Sequence, residues 1–115
     1  MSDRKLRVQA KVAVTALVLI SMSPNAEAAG LGALERQGRA ILARFCADCH
    51  AIGSTGRSKH PRAPAFRKIG DRYDIDDLVD QLTEGFTAPH PDMPTFTLTQ
   101  DHARAVRAYL HAIQN

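Results

Sequence analysis

Cys46-Ala47-Asp48-Cys49-His50 closes a helical stretch, and its reading decides what the rest of the chain must do. Upstream of it, Leu31, Leu34, Gly38, Ile41, Leu42 and Phe45 fall at i, i+3, i+7, i+10, i+11 and i+14, one face of an α-helix. A helix running into the motif sends two thiols, three residues apart, to the same side at its end. His50 follows at once. These are the only two cysteines of the chain. A disulfide framework usually shows four or more. A zinc site takes about four ligands, and neither a second Cys pair nor an H-x-x-x-H partner is present. A thioredoxin-like pair needs βαβ surroundings, whereas helix and loop flank this one. What remains is C-x-x-C-H, the attachment pattern of haem c. Two thiols reach the two vinyl groups on one porphyrin edge, and the histidine addresses the iron from one face.

Working outward, the first segment reads as a secretory signal. Arg4, Lys5, Arg7 and Lys11 make a positive region, Val12 to Met22 an apolar one, and Ala26-Glu27-Ala28 a small-x-small cleavage pattern after Pro24. The apolar run is too short for a bilayer, which takes about 20 residues. Residues 1–28 are expected to be a cleaved signal peptide and 29–115 a single domain. An uncleaved anchor is the alternative. Four of the 15 Lys and Arg and two of the 12 Asp and Glu lie before residue 29, so the mature chain carries +1 with neutral histidines. The basic balance of the precursor is therefore no argument for nucleic-acid binding.

The sixth iron position needs a second donor. Met1 and Met22 leave with the signal, and Met93 is the methionine that stays. It sits in His90-Pro91-Asp92-Met93-Pro94, where the prolines restrict the backbone and can present its sulfur. Its plain alternative is core filler. His60 and His90 are the competing loop donors. His102 and His111 fall on the third helix and are expected to be exposed.

Two more helices follow from periodicity. Ile75, Leu78, Val79 and Leu82 share a face, with Asp71 or Asp74 as N-cap and Gly85 as the stop. Ala103, Val106, Leu110 and Ile113 share another, with Thr99 as cap and Asp101 in the first turn. Gly53 to Ala65 and Phe86 to Leu98 read as loops, rich in Gly, Pro and polar residues. No alternating run long enough for a strand appears. Aromatics are few and Trp is absent. So small a chain needs a staple, and an apolar cofactor would complete its core.

C-x-x-C-H, then A-P at Ala63-Pro64, then M-P at Met93-Pro94, then a Tyr109-Leu110 helix together resemble a class I monohaem c-type cytochrome of the small bacterial kind. The resemblance spans about Leu34 to Ile113. It implies an all-α, cytochrome c-like fold: three main helices and proline-rich loops wrapped around one covalently bound haem. Gly38 matches the glycine where the terminal helices cross, and Val106 and Tyr109 match its partners. Leu42 departs from the pattern, standing where many members have an aromatic. Pro64 matches the proline whose carbonyl accepts the Nδ1 proton of the ligating histidine, and a plain loop proline is the alternative. Arg57, Lys59, Arg62 and Arg67 are open candidates to meet the haem propionates.

The expected site is therefore Cys46 and Cys49 as haem thioethers, His50 and Met93 as axial iron ligands, and Pro64 behind His50. The expected function is one-electron transport in the periplasm between redox partner proteins, by a monomer rather than an enzyme. A haem-bearing subunit of a larger dehydrogenase or reductase is the second reading. An open-iron enzyme or gas sensor is the third.

Overall fold

The structure, a computed structural model, describes residues 30–89 and 91–115. The expected signal peptide and His90 lie outside the described residues. The element order is α1 (Ala33–Phe45), a 3-10 segment (Phe66–Asp71), α2 (Ile75–Glu84) and α3 (Gln100–Ile113). Among the described residues no strand forms. An isolated antiparallel bridge joins Phe86 to Phe96 and closes the base of the loop between α2 and α3. The three helices appear where periodicity places them. The 3-10 segment is an addition, because six residues with one buried apolar side chain, Ile69, carry no helical period.

The caps follow the sequence chemistry. The Asp74 carboxylate accepts from the N–H groups of Asp76 and Asp77 at the start of α2. Asp71 ends the 3-10 segment instead, so Asp74 is the cap. Gly85 stops α2 at φ 99°, a left-handed conformation that favours glycine. Thr99 Oγ1 accepts from His102 N at 3.1 Å and starts α3.

α3 is the central element. It buries Ala103, Ala105, Val106, Tyr109, Leu110 and Ile113 against α1 on one side and α2 on the other. Gly38 makes the α1–α3 contact possible: a Cβ there would stand 2.0 Å from Ala105 O and 2.9 Å from Tyr109 Cβ. Tyr109, an expected partner, and Ala105 supply the nearest atoms at the crossing. Val106 is fully buried but turns toward the cleft described below. One step along a helix rotates a side chain by about 100°, which separates the two neighbours. The packed strip of α1 is also narrower than its apolar face. Gly38 and Leu42 are buried, whereas Leu34 is 39% and Phe45 43% exposed.

Gly38→Ala tests this contact. Alanine in a helix interior gains about 1 kcal/mol over glycine. The clash is with backbone, which cannot swing aside, and overpacking costs about 1–3 kcal/mol. The clash is expected to win. At a net cost of about 1 kcal/mol the melting temperature should fall by about 4–8 °C, measured by circular dichroism.

Polar contacts hold α2 to α3 on the surface. Arg107 pairs with Asp76 at 3.1 Å and Asp80 at 2.5 Å, and His111 Nε2 lies 2.9 Å from Asp76 Oδ1. The hydrogen bond from His111, with the nearby Arg107 charge, holds the Asp76 carboxyl below its ordinary range. His111 is exposed as expected, but His102 is half-buried, because the start of α3 packs closer to the body.

Candidate functional site

The end of α1 does not simply stop. Cys46 N donates to Leu42 O at 2.8 Å, Cys49 N to Cys46 O at 3.2 Å, and His50 N to Cys46 O at 2.9 Å. The chain thus keeps turning through the motif and holds Cys46, Cys49 and His50 on one short arc. Both cysteines are unbridged and half-buried. Burial pushes the Cys46 thiol up to about 11, and the neighbouring Cys49 adds to the shift. Burial thus favours the neutral thiol at Cys46. Among the described residues no group of three His, Cys, Asp or Glu side chains could hold a bare metal ion.

The following loop folds back on this arc. Ser58 Oγ accepts from Ala51 N at 3.0 Å, and His60 N donates to Cys49 O at 3.1 Å. The loop then brings Pro64 O to 2.8 Å from His50 Nδ1. A carbonyl only accepts, so Nδ1 carries the proton and Nε2 keeps its lone pair. Phe66 stacks on the His50 ring, centroids 4.5 Å apart and planes at 29°.

The arc borders a large apolar cleft with about 1000 Å³ of atom-free space, part of it open to solvent. Its walls come from every element: Ile41 and Phe45 of α1, Ile69 of the 3-10 segment, Leu78 and Leu82 of α2, Val106 and Leu110 of α3. Cys46, His50 and Met93 all line it. An adjoining hollow shares these three residues and adds Cys49. Met93 arrives on the loop closed by the Phe86–Phe96 bridge, by Leu98 N donating to Leu82 O at 2.8 Å, and by the Thr87 and Thr95 hydroxyls 3.3 Å apart. Two thiols, an imidazole and a thioether thus meet at one apolar cleft. Its apolar walls, paired thiols and nitrogen and sulfur donors fit a large apolar group that carries a metal. They do not fit a hydrated ion.

The candidates that sequence left open now separate. His60 Nδ1 accepts from Arg62 N at 3.1 Å, and its Nε2 lies 3.2 Å from Asp92 Oδ2. His60 therefore joins its loop to the Met93 loop. Among the four basic candidates, Arg62 lines the cleft. Arg57 and Arg67 border a separate hollow with Ser58 and His60, and Lys59 is exposed. Arg72 also lines the cleft and was not foreseen. Its signal was faint: a basic residue next to Tyr73, just ahead of a helix cap. The Phe66 stack was also missed, although Phe66 follows Ala63-Pro64-Ala65 directly.

A family model described as cytochrome c oxidase, cbb3-type, subunit III, matches residues 33–110. The chain is also similar to cytochrome c-552 of Bradyrhizobium diazoefficiens, 29% identical over 98 residues that cover 85% of this chain and 88% of the relative. No solved structure gives a significant match.

Proposed function

Since this chain belongs to the c-type cytochrome family described as subunit III of cbb3-type cytochrome c oxidase, we propose that it is a periplasmic one-electron carrier whose iron is held by His50 and Met93. The family itself establishes a small monohaem c-type cytochrome with covalent haem c and an electron-transfer role. Haem supplies the one-electron Fe(II)/Fe(III) couple.

The protein supplies position and environment. Cys46 and Cys49 anchor the cofactor as thioethers. His50 offers Nε2, with Pro64 O fixing its tautomer and raising its basicity through Nδ1. Met93 offers a neutral, soft sulfur from the opposite loop. Arg62 and Arg72 line the cleft and would be placed to pair with the carboxylates of a bound haem. The apolar walls keep water from the iron. Were His50 and Met93 both to hold the iron, no open position would be left there for a substrate. The observation that carries this reading is the meeting of His50 and Met93, from separate loops, at one apolar cleft. Residues 1–28 carry the export signal, and the carrier works as a monomer with redox partner proteins.

A second reading is a haem-bearing subunit of a larger oxidoreductase, favoured by the description of the matching family as a subunit of an oxidase. Among the described residues no helix is long and apolar enough to cross a membrane. The test is biochemical. Exported protein is expected to keep its haem through acid-acetone extraction and to give a two-thioether spectrum in alkaline pyridine. It should purify alone and exchange electrons reversibly at an electrode. Haem that washes out would sink the site assignment. Purification only with a partner enzyme would select the second reading.

A further inference from the structure

Two groups orient the His50 ring, Pro64 O and the Phe66 side chain, and both lie at the start of the 3-10 segment. That segment is gripped from α3. Gln114, the C-cap of α3, donates from Nε2 to Phe66 O at 2.9 Å and to Leu110 O at 2.8 Å. Its Oε1 accepts from Gly70 N at 2.8 Å. A longer bond runs from Asn115 N to Arg67 O at 3.4 Å. One amide therefore ties both ends of the segment to the helix. Glycine at position 70 admits it, since a Cβ there would stand 2.7 Å from Gln114 Oε1.

We infer that Gln114 is a positioning residue for the axial histidine: it holds the Phe66–Asp71 segment so that Pro64 O and the Phe66 ring keep His50 in one orientation and one tautomer. The inference rests on the proposed ligation by His50. An amide suits the place because it donates and accepts at once. A carboxylate would face Phe66 O with another oxygen, and an alkyl chain would leave Phe66 O and Gly70 N–H unpaired. The segment is otherwise joined to its surroundings by few bonds, chiefly Phe66 N to Ala51 O at 2.9 Å. Loss of the clamp should therefore loosen it locally before it unfolds the molecule.

The test uses the reduced holoprotein and compares wild type with Gln114→Met, Gln114→Ala and Val79→Ala. Val79 is a buried α2 residue that makes none of the hydrogen bonds gripping the segment, and it serves as a control for global destabilisation. Solvent exchange of the His50 Nδ1 proton and of the Gly70 amide proton is followed by NMR. In both Gln114 variants, each proton should exchange about tenfold faster, the effect of one net hydrogen bond. In Val79→Ala both should stay near the wild-type rate while the melting temperature falls. Unchanged Nδ1 exchange in Gln114→Met would overturn the inference. So would acceleration by Val79→Ala that matches the Gln114 variants at equal loss of stability. Failure of the ligation reading looks different: the wild-type protein itself would lack a haem-shifted imidazole N–H signal, before any substitution is made.

Discussion

Oxidised Met93→Ala protein is expected to lose the weak far-red sulfur-to-iron charge-transfer band. Its reduced form should take up carbon monoxide, and its reduction potential should fall. The direction follows from donor chemistry. A neutral thioether favours Fe(II) over Fe(III) relative to water or a harder donor. The fall should be on the order of 100 mV, within the range of about 0.8 V over which axial ligands set haem potentials. Met93→His should restore a closed iron, with a potential still below wild type. The prolines and the Phe86–Phe96 bridge hold the loop by themselves, so the alanine variant should fold. Wild-type protein that lacks the band and binds carbon monoxide readily would refute the closed carrier. An open-iron function would then lead. The donors left to test would be His90 and His60, although His60 already faces Asp92.

The other large effect concerns folding. Chain made without haem, or with Cys46→Ala and Cys49→Ala together, is expected to lack a cooperative thermal transition. Ile41, Phe45, Phe66, Leu82, Phe86 and Phe96 line the cleft and keep partial exposure. Completing the burial of each is worth about 1 kcal/mol, since full burial of such a side chain is worth about 1.5–3 kcal/mol. The sum is several kcal/mol. Net stabilities of about 5–15 kcal/mol are usual, and domains near this size sit at the low end. The chain without its cofactor should therefore be molten, with helical far-ultraviolet signal but no sharp melt. A sharp melt of the apo-protein near the holo temperature would show that the three helices suffice by themselves.

Much of the site was legible because its chemistry is local. C-x-x-C-H needs only residue type and spacing within one turn, and the turn bonds from Cys46 O to Cys49 N and His50 N are what any helix end forms. Thr99 and the pair Asp71 or Asp74 were readable as caps for the same reason, since a cap acts within three residues. The choice of Asp74 was not readable. It depended on where the 3-10 segment stopped, and that segment has no periodic signal. Gly38 was readable as a close approach to Tyr109 through the family resemblance, but the part played by Ala105 was not. Val106 and Ala105 are adjacent, and only the rotation of α3 against α1 decides which one meets the glycine.

The sequence by itself determined the covalent anchor pair, the histidine beside it, a methionine between prolines downstream of them, and three amphipathic helices with their caps. Each of these is encoded in residue type over a window of a few to about fifteen positions, where helical period and side-chain chemistry act directly. Tertiary structure alone decided which basic residues face the cleft, why Arg72 joins Arg62 there, and that His60 reaches Asp92. It also decided that Phe66 stacks on His50 and that Gln114 grips a segment more than 40 residues before it. These contacts depend on how loops close and how helices rotate against one another. Both are set by the packing of the whole core, and no short stretch of the chain carries that information.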